Sequence, residues 1–173
     1  CMHTGSRWLF WGFGIFFVIV QALSEPLVQP SHAGGIGSLS VVSPDGQETI
    51  FSESEFLALP KSRTITRTAW TEDLHVFEGV ALGKVLETAG IDPQDHQNAT
   101  VRAIALNDYV VEFPLADATR YGVLIAAFMD GRRLSVSDKG PYWIVYPRDD
   151  FRELRDSRFD HRWAWQLREL QIR

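Results

Sequence analysis

Three short stretches of this chain set aromatic rings beside charged groups. "TRTAWTED" holds Arg67 and Trp70, "NDY" is Asn107, Asp108 and Tyr109, and "DKGPYW" supplies Asp138, Lys139, Tyr142 and Trp143. Rings give a face to stack on, carboxylates accept paired N–H donors, and Lys and Arg donate. Each stretch falls at the end of a predicted strand, where loops carry binding groups on a rigid scaffold. Alone, each ring reads as core packing and Asn107-Asp108 as a turn. Together they point to a cleft for something flat and polar.

Other chemistries lack their residues. The histidines, at positions 3, 32, 75, 96 and 161, have no metal-ligand spacing, and His75 reads as a surface strand residue. Asp149, Asp150, Asp156 and Asp160 lack the glycine and spacing of a calcium loop; interleaved with arginines, they read as a salt-bridged loop. There is no phosphate-binding glycine loop and no nucleophile elbow. The single cysteine, Cys1, precedes Met2, which excludes disulfides, thiolate metal sites and cysteine catalysis in the folded part. A net charge of −5 gives no footprint for nucleic acid.

The elements that must position these groups begin after an export signal. "WLFWGFGIFFVIV", Trp8–Val20, is shorter than the ~20 residues of a membrane-spanning helix and matches a signal-peptide core. Residues 2–22 are the expected signal peptide, cut near Ala22, with a retained anchor as the rival. Residues 23–37, rich in Pro, Ser and Gly, are the expected linker, and 38–173 one domain in the periplasm.

Within that domain "SPDG" joins two short strands, and Ser52 with Glu55 forms a capping box for a helix closed by Pro60. "ALGKVLETAG" carries apolar residues at helical spacing and stops at Gly90. "TVRAIAL", "YVVEF", "VLIAAFM" and "YWIVYP" are strands. On "YWIVYP", Tyr142 and Trp143 point to opposite faces, so only one can face a given cleft, and both stay candidates. "RWAWQLRELQIR" reads as a long strand with Trp163 and Trp165 in the core and a bulge at Arg168-Glu169. The fold class is α+β, mostly β, with helices covering a sheet.

The order "FEGVALGKVLETAGI … ALNDYVVEFPLADA … VLIAAFMDGRRLSVSDKGPYWIVYPRDD … RWAWQLRELQIR" resembles the molybdopterin-binding domain of the sulfite oxidase family. The resemblance runs from about Ser38 to Arg173 and implies a sulfite oxidase-like fold in a single domain. Catalytic members hold molybdenum through a cysteine in the region matching "ITRTAWTED", where this chain has none. A threonine does not replace that soft ligand, so no metal ligand and no catalytic residue carries over.

What the resemblance leaves is affinity for the pterin itself. It is similar to the small exported PruR-type periplasmic pterin-binding proteins. That likeness implies a neopterin- or monapterin-like ligand and a partner, the periplasmic domain of an inner-membrane cyclic-di-GMP diguanylate cyclase/phosphodiesterase. Asp108 and Asp138 then match the two donors of the pterin's 2-amino-4-oxo edge, and Lys139 or Arg67 its O4/N5 edge. Trp70, Tyr109, Tyr142 and Trp143 supply rings, and Asn107 sits in the same turn. The alternative is a molybdopterin-dependent oxidoreductase lacking the cysteine metal ligand; a protein-binding adaptor is a third reading.

Overall fold

Runs of β-branched and aromatic residues make strand the commonest regular structure, and a computed structural model describes residues 35–173. Residues 1–34, with the expected signal peptide (2–22), the first part of the expected linker and Cys1, lie outside the described residues. Among the described residues no helix is long and apolar enough to cross a membrane.

Among the described residues, ten strands make two sheets. The first holds β1 (Leu39–Val42), β2 (Glu48–Phe51), β5 (Thr100–Ala105), β6 (Val110–Pro114) and β10 (Leu167–Ile172), in the order β2-β1-β10-β5-β6. Strand β10 lies parallel to β1 and antiparallel to β5, so it is the middle of its sheet. The second holds β3 (Ser62–Thr66), β4 (His75–Ala81), β7 (Leu124–Met129) and β8 (Arg132–Arg133), with β9 (Trp143–Val145) also on β7. The core lies between apolar faces such as Val101, Leu170 and Ile172 on one sheet and Phe77, Ile125 and Trp143 on the other.

Local chemistry sets the boundaries. Helix α1 (Glu53–Ala58) starts in the expected capping box, with the Ser52 side chain accepting from Glu55 N and Glu55 Oε2 accepting from Ser52 N. Helix α2 (Leu82–Thr88) buries Leu82, Val85 and Leu86. Helix α3 is a single turn, Asp117–Arg120. Asp130 and Gly131 both have positive φ (51° and 76°), the conformation of a tight hairpin turn, and join β7 to β8. At Gly79 the β4–β7 register shifts and the backbones approach so closely that a Cβ would sit 2.0 Å from Ile125 O. Only glycine fits there.

The end of the chain departs from the sequence reading in one respect. Strand β10 begins at Leu167, with the anticipated bulge between Leu167 and Glu169, but Trp163 and Trp165 precede it. Residues 164–167 instead run beside the β9 segment. Ile144 N donates to Ala164 O (2.8 Å), Gln166 N to Lys139 O (2.9 Å) and Leu167 N to Tyr142 O (2.9 Å). Gln166 takes a positive φ of 55° between these bonds. The alternation of Trp163 and Trp165 therefore belongs to an irregular bridge, which leaves Trp165 free to reach the surface.

Candidate functional site

Four tryptophans meet at the end of that bridge. Trp70 packs edge-on against Trp165 and Trp163, with ring centroids 5.0 and 6.1 Å apart, and Trp143 lies beneath at 6.3 and 6.0 Å from the same two rings. Such edge contacts suit the ring quadrupoles. Trp143 and Trp163 are buried, while Trp70 (49% exposed) and Trp165 (37%) keep surface free. Above them opens a cleft of about 290 Å³ lined by Trp70, Ala105, Asn107, Tyr109, Asp160, His161, Trp163, Ala164 and Trp165. This is near the lower end of the ~300–1,000 Å³ range of small-molecule clefts, a size for a bicyclic ring rather than an extended ligand.

Each wall has its own support. The β5–β6 turn puts Asp108 at φ 64°, and Asn107 Oδ1 accepts from Tyr109 N at 3.2 Å, leaving the amide NH2 of Asn107 to donate. Trp70 rides on a loop closed by hydroxyls. Thr68 N donates to Thr71 Oγ1 (3.0 Å), and Trp70 N to Thr68 Oγ1 (3.1 Å). Asp160 and His161 come from the second of two 3-10 helices, Arg152–Arg155 and Ser157–Arg162. That helix is tied to the core by Arg162, whose Nη1 donates to Asp117 Oδ2 at 2.6 Å, while Tyr146 Oη donates to the same oxygen at 2.9 Å. Burial, followed by the Asp117 charge, pushes the Tyr146 phenol well above its ordinary range, so it stays a donor.

Of the residues picked from sequence, Trp70, Asn107 and Tyr109 line the cleft. Trp143 forms its floor and is fully covered. Tyr142 is in the core on the other face of β9: it is fully buried, packs on Phe56 at 4.4 Å, and its hydroxyl donates to Gly37 O at 2.6 Å. No ligand reaches it without unfolding that corner. Lys139 lies over the Trp143 ring at 5.5 Å and pairs with Asp138 at 2.8 Å. Neither lines the cleft. Asp108 turns outward and pairs with Arg168 at 2.6 Å. Its carboxylate is 83% exposed, so it does not line the cleft either.

Arg67 faces a neighbouring notch of about 330 Å³ formed with Arg148, Asp149 and Arg155. Notch and cleft share a wall, because Arg148 Nη1 donates to Thr68 O (3.1 Å) and Nη2 stands 3.9 Å from Asp160 Oδ1. Sequence reasoning missed Asp160, His161, Trp163 and Trp165. The cue was present: a "DHRWAW" run rich in ring and charge just before a strand. Its period-two alternation, however, is also that of a strand.

The region where the resemblance implies a cysteine ligand is the end of β3 and the following loop. Here Thr66 and Thr68 are buried and their hydroxyls are engaged with Arg67 O, Asp149 and Thr71. Arg67 N donates to Asp149 Oδ2 at 2.6 Å. Hydroxyls committed to hydrogen bonds, flanked by guanidinium groups, do not make a donor set for a soft metal. Among the described residues no cluster of three or more His, Cys, Asp or Glu side chains could hold a metal ion. The ring-lined cleft fits the pterin part of a molybdopterin; this loop does not fit its metal.

Residues 55–148, more than half of the chain, match the oxidoreductase molybdopterin binding domain. The sulfane dehydrogenase SoxCD from Paracoccus pantotrophus has a similar structure, with a TM-score of 0.59 and 18% sequence identity. The similarity covers 78% of this chain and 37% of that one, so the chain spans little more than a third of that protein's length. At this identity the likeness speaks for the fold, an α+β, mostly β, sulfite oxidase-like domain. No curated protein sequence matches the chain. The cleft residues Asp160, His161, Trp163 and Trp165 lie beyond the matched stretch.

Proposed function

Because the chain belongs to the oxidoreductase molybdopterin binding domain family, we propose that it binds a free pterin, of the neopterin or monapterin kind, without catalysis. The observation that carries this reading is a ring-lined cleft of about 290 Å³ beside a loop whose residues lack the family's thiolate. The pterin ring lies against Trp165 and the exposed part of Trp70, with Tyr109 and Asn107 closing one side. Two stacked contacts of about 0.5–1.5 kcal/mol each, added to ring burial and charged hydrogen bonds of about 1.5–3, are consistent with a micromolar Kd (about −8 kcal/mol).

The reading extends to a PruR-type receptor. An apolar run at Trp8–Val20 supports export to the periplasm, and the likeness to that group supports a partner, the periplasmic domain of an inner-membrane diguanylate cyclase/phosphodiesterase. Trp70 is the structural link between ligand and partner. Its half-exposed ring sits on the Arg67–Asp73 loop, so a ligand stacked on it touches a surface that a second protein can read. Cyclic-di-GMP output is then set by pterin occupancy.

Titration of neopterin and its tetrahydro form into the protein, followed by tryptophan fluorescence and calorimetry, tests the binding. Saturable one-to-one binding is the expected result. Absence of binding to both, together with stoichiometric molybdenum in protein isolated from its native source, would replace it with the oxidoreductase reading. Absence of both would leave an adaptor that binds only protein.

A further inference from the structure

A pterin needs more than rings to be told from other flat heterocycles. Its 2-amino-4-oxo edge presents N3–H and a 2-amino N–H side by side, adjacent donors that suit a carboxylate acceptor. Of the carboxylates near the cleft, Asp108 is engaged by Arg168 and Asp138 by Lys139, and neither lines the cavity. Asp160 does line it.

The Asp160 side chain is about a quarter exposed, and its Oδ1 is buried with no hydrogen-bond partner. Arg148 Nη2 stands 3.9 Å from that oxygen, beyond hydrogen-bond distance. Oδ1 is closed to the cleft, so it is the exposed part of the side chain that meets a ligand there. The position is fixed on both sides: Asp160 O accepts from Trp163 N at 3.3 Å, and Arg162 anchors to Asp117 two residues on. Asn107 also lines the cleft, and its amide offers N–H groups, which suit the O4/N5 edge.

Resting on the pterin reading above, we infer that Asp160 is the specificity-determining carboxylate of the cleft. It selects ligands with a cyclic acylguanidine edge, the pterins, over their 2-oxo counterparts, the lumazines. A lumazine places a carbonyl oxygen where the pterin has its amino group, and that oxygen faces the Asp160 carboxylate with lone pair against lone pair. Asp160 lies outside the stretch shared with the family, so this selectivity is a property of the chain's own C-terminal segment.

The test is a two-ligand titration of the full-length protein and Asp160→Asn with 6-hydroxymethylpterin and 6-hydroxymethyllumazine. Wild type is expected to prefer the pterin at least tenfold. In the variant the pterin affinity falls about ten- to a hundredfold while lumazine binding holds or improves, because the new amide donates to the 2-oxo group. A general folding defect lowers both ligands together, and Asp160→Glu, which keeps the charge, restores part of the preference. Guanosine carries the same edge on a different ring and is expected to bind weakly but with the same dependence on Asp160.

If wild type binds pterin and Asp160→Asn leaves the preference unchanged, or if Asp108→Asn or Asp138→Asn removes it instead, the assignment to Asp160 is overturned and pterin binding stands. If wild type binds neither ligand, both fall.

Discussion

Asp149 grips Arg67 from two directions. Its Oδ2 accepts from the Arg67 backbone N–H at 2.6 Å and its Oδ1 from the Arg67 guanidinium at 3.1 Å, while Thr66 Oγ1 donates to Oδ2 at 3.2 Å. One carboxylate, at the exit of the β9 segment, thereby closes the loop where the resemblance implies a metal ligand. The same carboxylate and guanidinium shape one side of the arginine notch.

This grip makes stability depend on acid. Burial raises the Asp149 pKa, but the hydrogen bonds from Arg67 and Thr66 and the Arg67 charge outweigh it, and the net shift is downward. A carboxylate depressed in the folded state contributes stability above its unfolded pKa of about 3.9, and loses it as pH falls through the folded value. Asp149→Asn is expected to cost about 1–2 kcal/mol at pH 7, discounted because Arg67 is half exposed. Urea unfolding at a series of pH values should show the gap between wild type and variant closing below about pH 4. A gap that stays constant down to pH 2 would remove Asp149 from this role.

The cleft rings have separable roles. Trp165→Ala and Trp70→Ala each remove one exposed face and leave the buried Trp143–Trp163 contact in place. Each is expected to weaken pterin binding about tenfold, roughly 1.4 kcal/mol, with little change in Tm. Trp143→Ala, by contrast, empties the floor and is expected to cost about 3–5 kcal/mol of stability. Calorimetric titration alongside thermal unfolding distinguishes the two classes.

Asp117 holds the segment that carries Asp160 and Trp163. Asp117→Ala leaves the mostly buried Arg162 guanidinium and the Tyr146 hydroxyl without their shared acceptor. The expected cost is about 3–5 kcal/mol. Because the 3-10 helix Ser157–Arg162 loses its tether, protection of its amides in hydrogen exchange should fall further than that of β5 or β7. Equal loss everywhere would mean that the pair stabilises the whole domain and does not hold this segment in particular.

Gly79 tests the packing of the second sheet. A methyl group there meets Ile125 O at 2.0 Å, with backbone and not a flexible side chain as the obstacle. Gly79→Ala is expected to cost about 3 kcal/mol or more. Denaturant unfolding measures it, and a cost under about 1 kcal/mol would show that β4 and β7 separate easily.

What could be read in the residues alone followed a physical divide. The capping box at Ser52 and Glu55, the α2 stripe and the bulge in β10 are local patterns, set by side chains within a few residues of each other, and they appear as expected. Trp70, Asn107 and Tyr109 sit at strand ends, which is why the cleft was partly legible. Trp165 was hidden because period-two alternation looks the same in a strand and in an extended bridge; only the bonds from Gln166 and Leu167 to the β9 segment distinguish them. Tyr142 illustrates the converse. Strand alternation assigns it a face, but whether another element covers that face depends on Phe56, some eighty residues away in sequence. Asp108, Asp138 and Asp160 are equally acidic on paper, and their partners, Arg168, Lys139 and a distant Arg148, are known only from the fold.

The middle position of β10 ties the cleft to distant parts of the chain. The first sheet has no centre until Leu167–Ile172 slots between β1 and β5, partners lying far back in the chain. Contacts of such long sequence separation form late and slowly. Trp163 and Trp165 stand immediately upstream of that strand, so the placing of the cleft rings rests on pairings that reach back across the domain. A chain cut short before Leu167 is therefore expected to lose the strand that sets Trp163 and Trp165 in place, and the cleft with it.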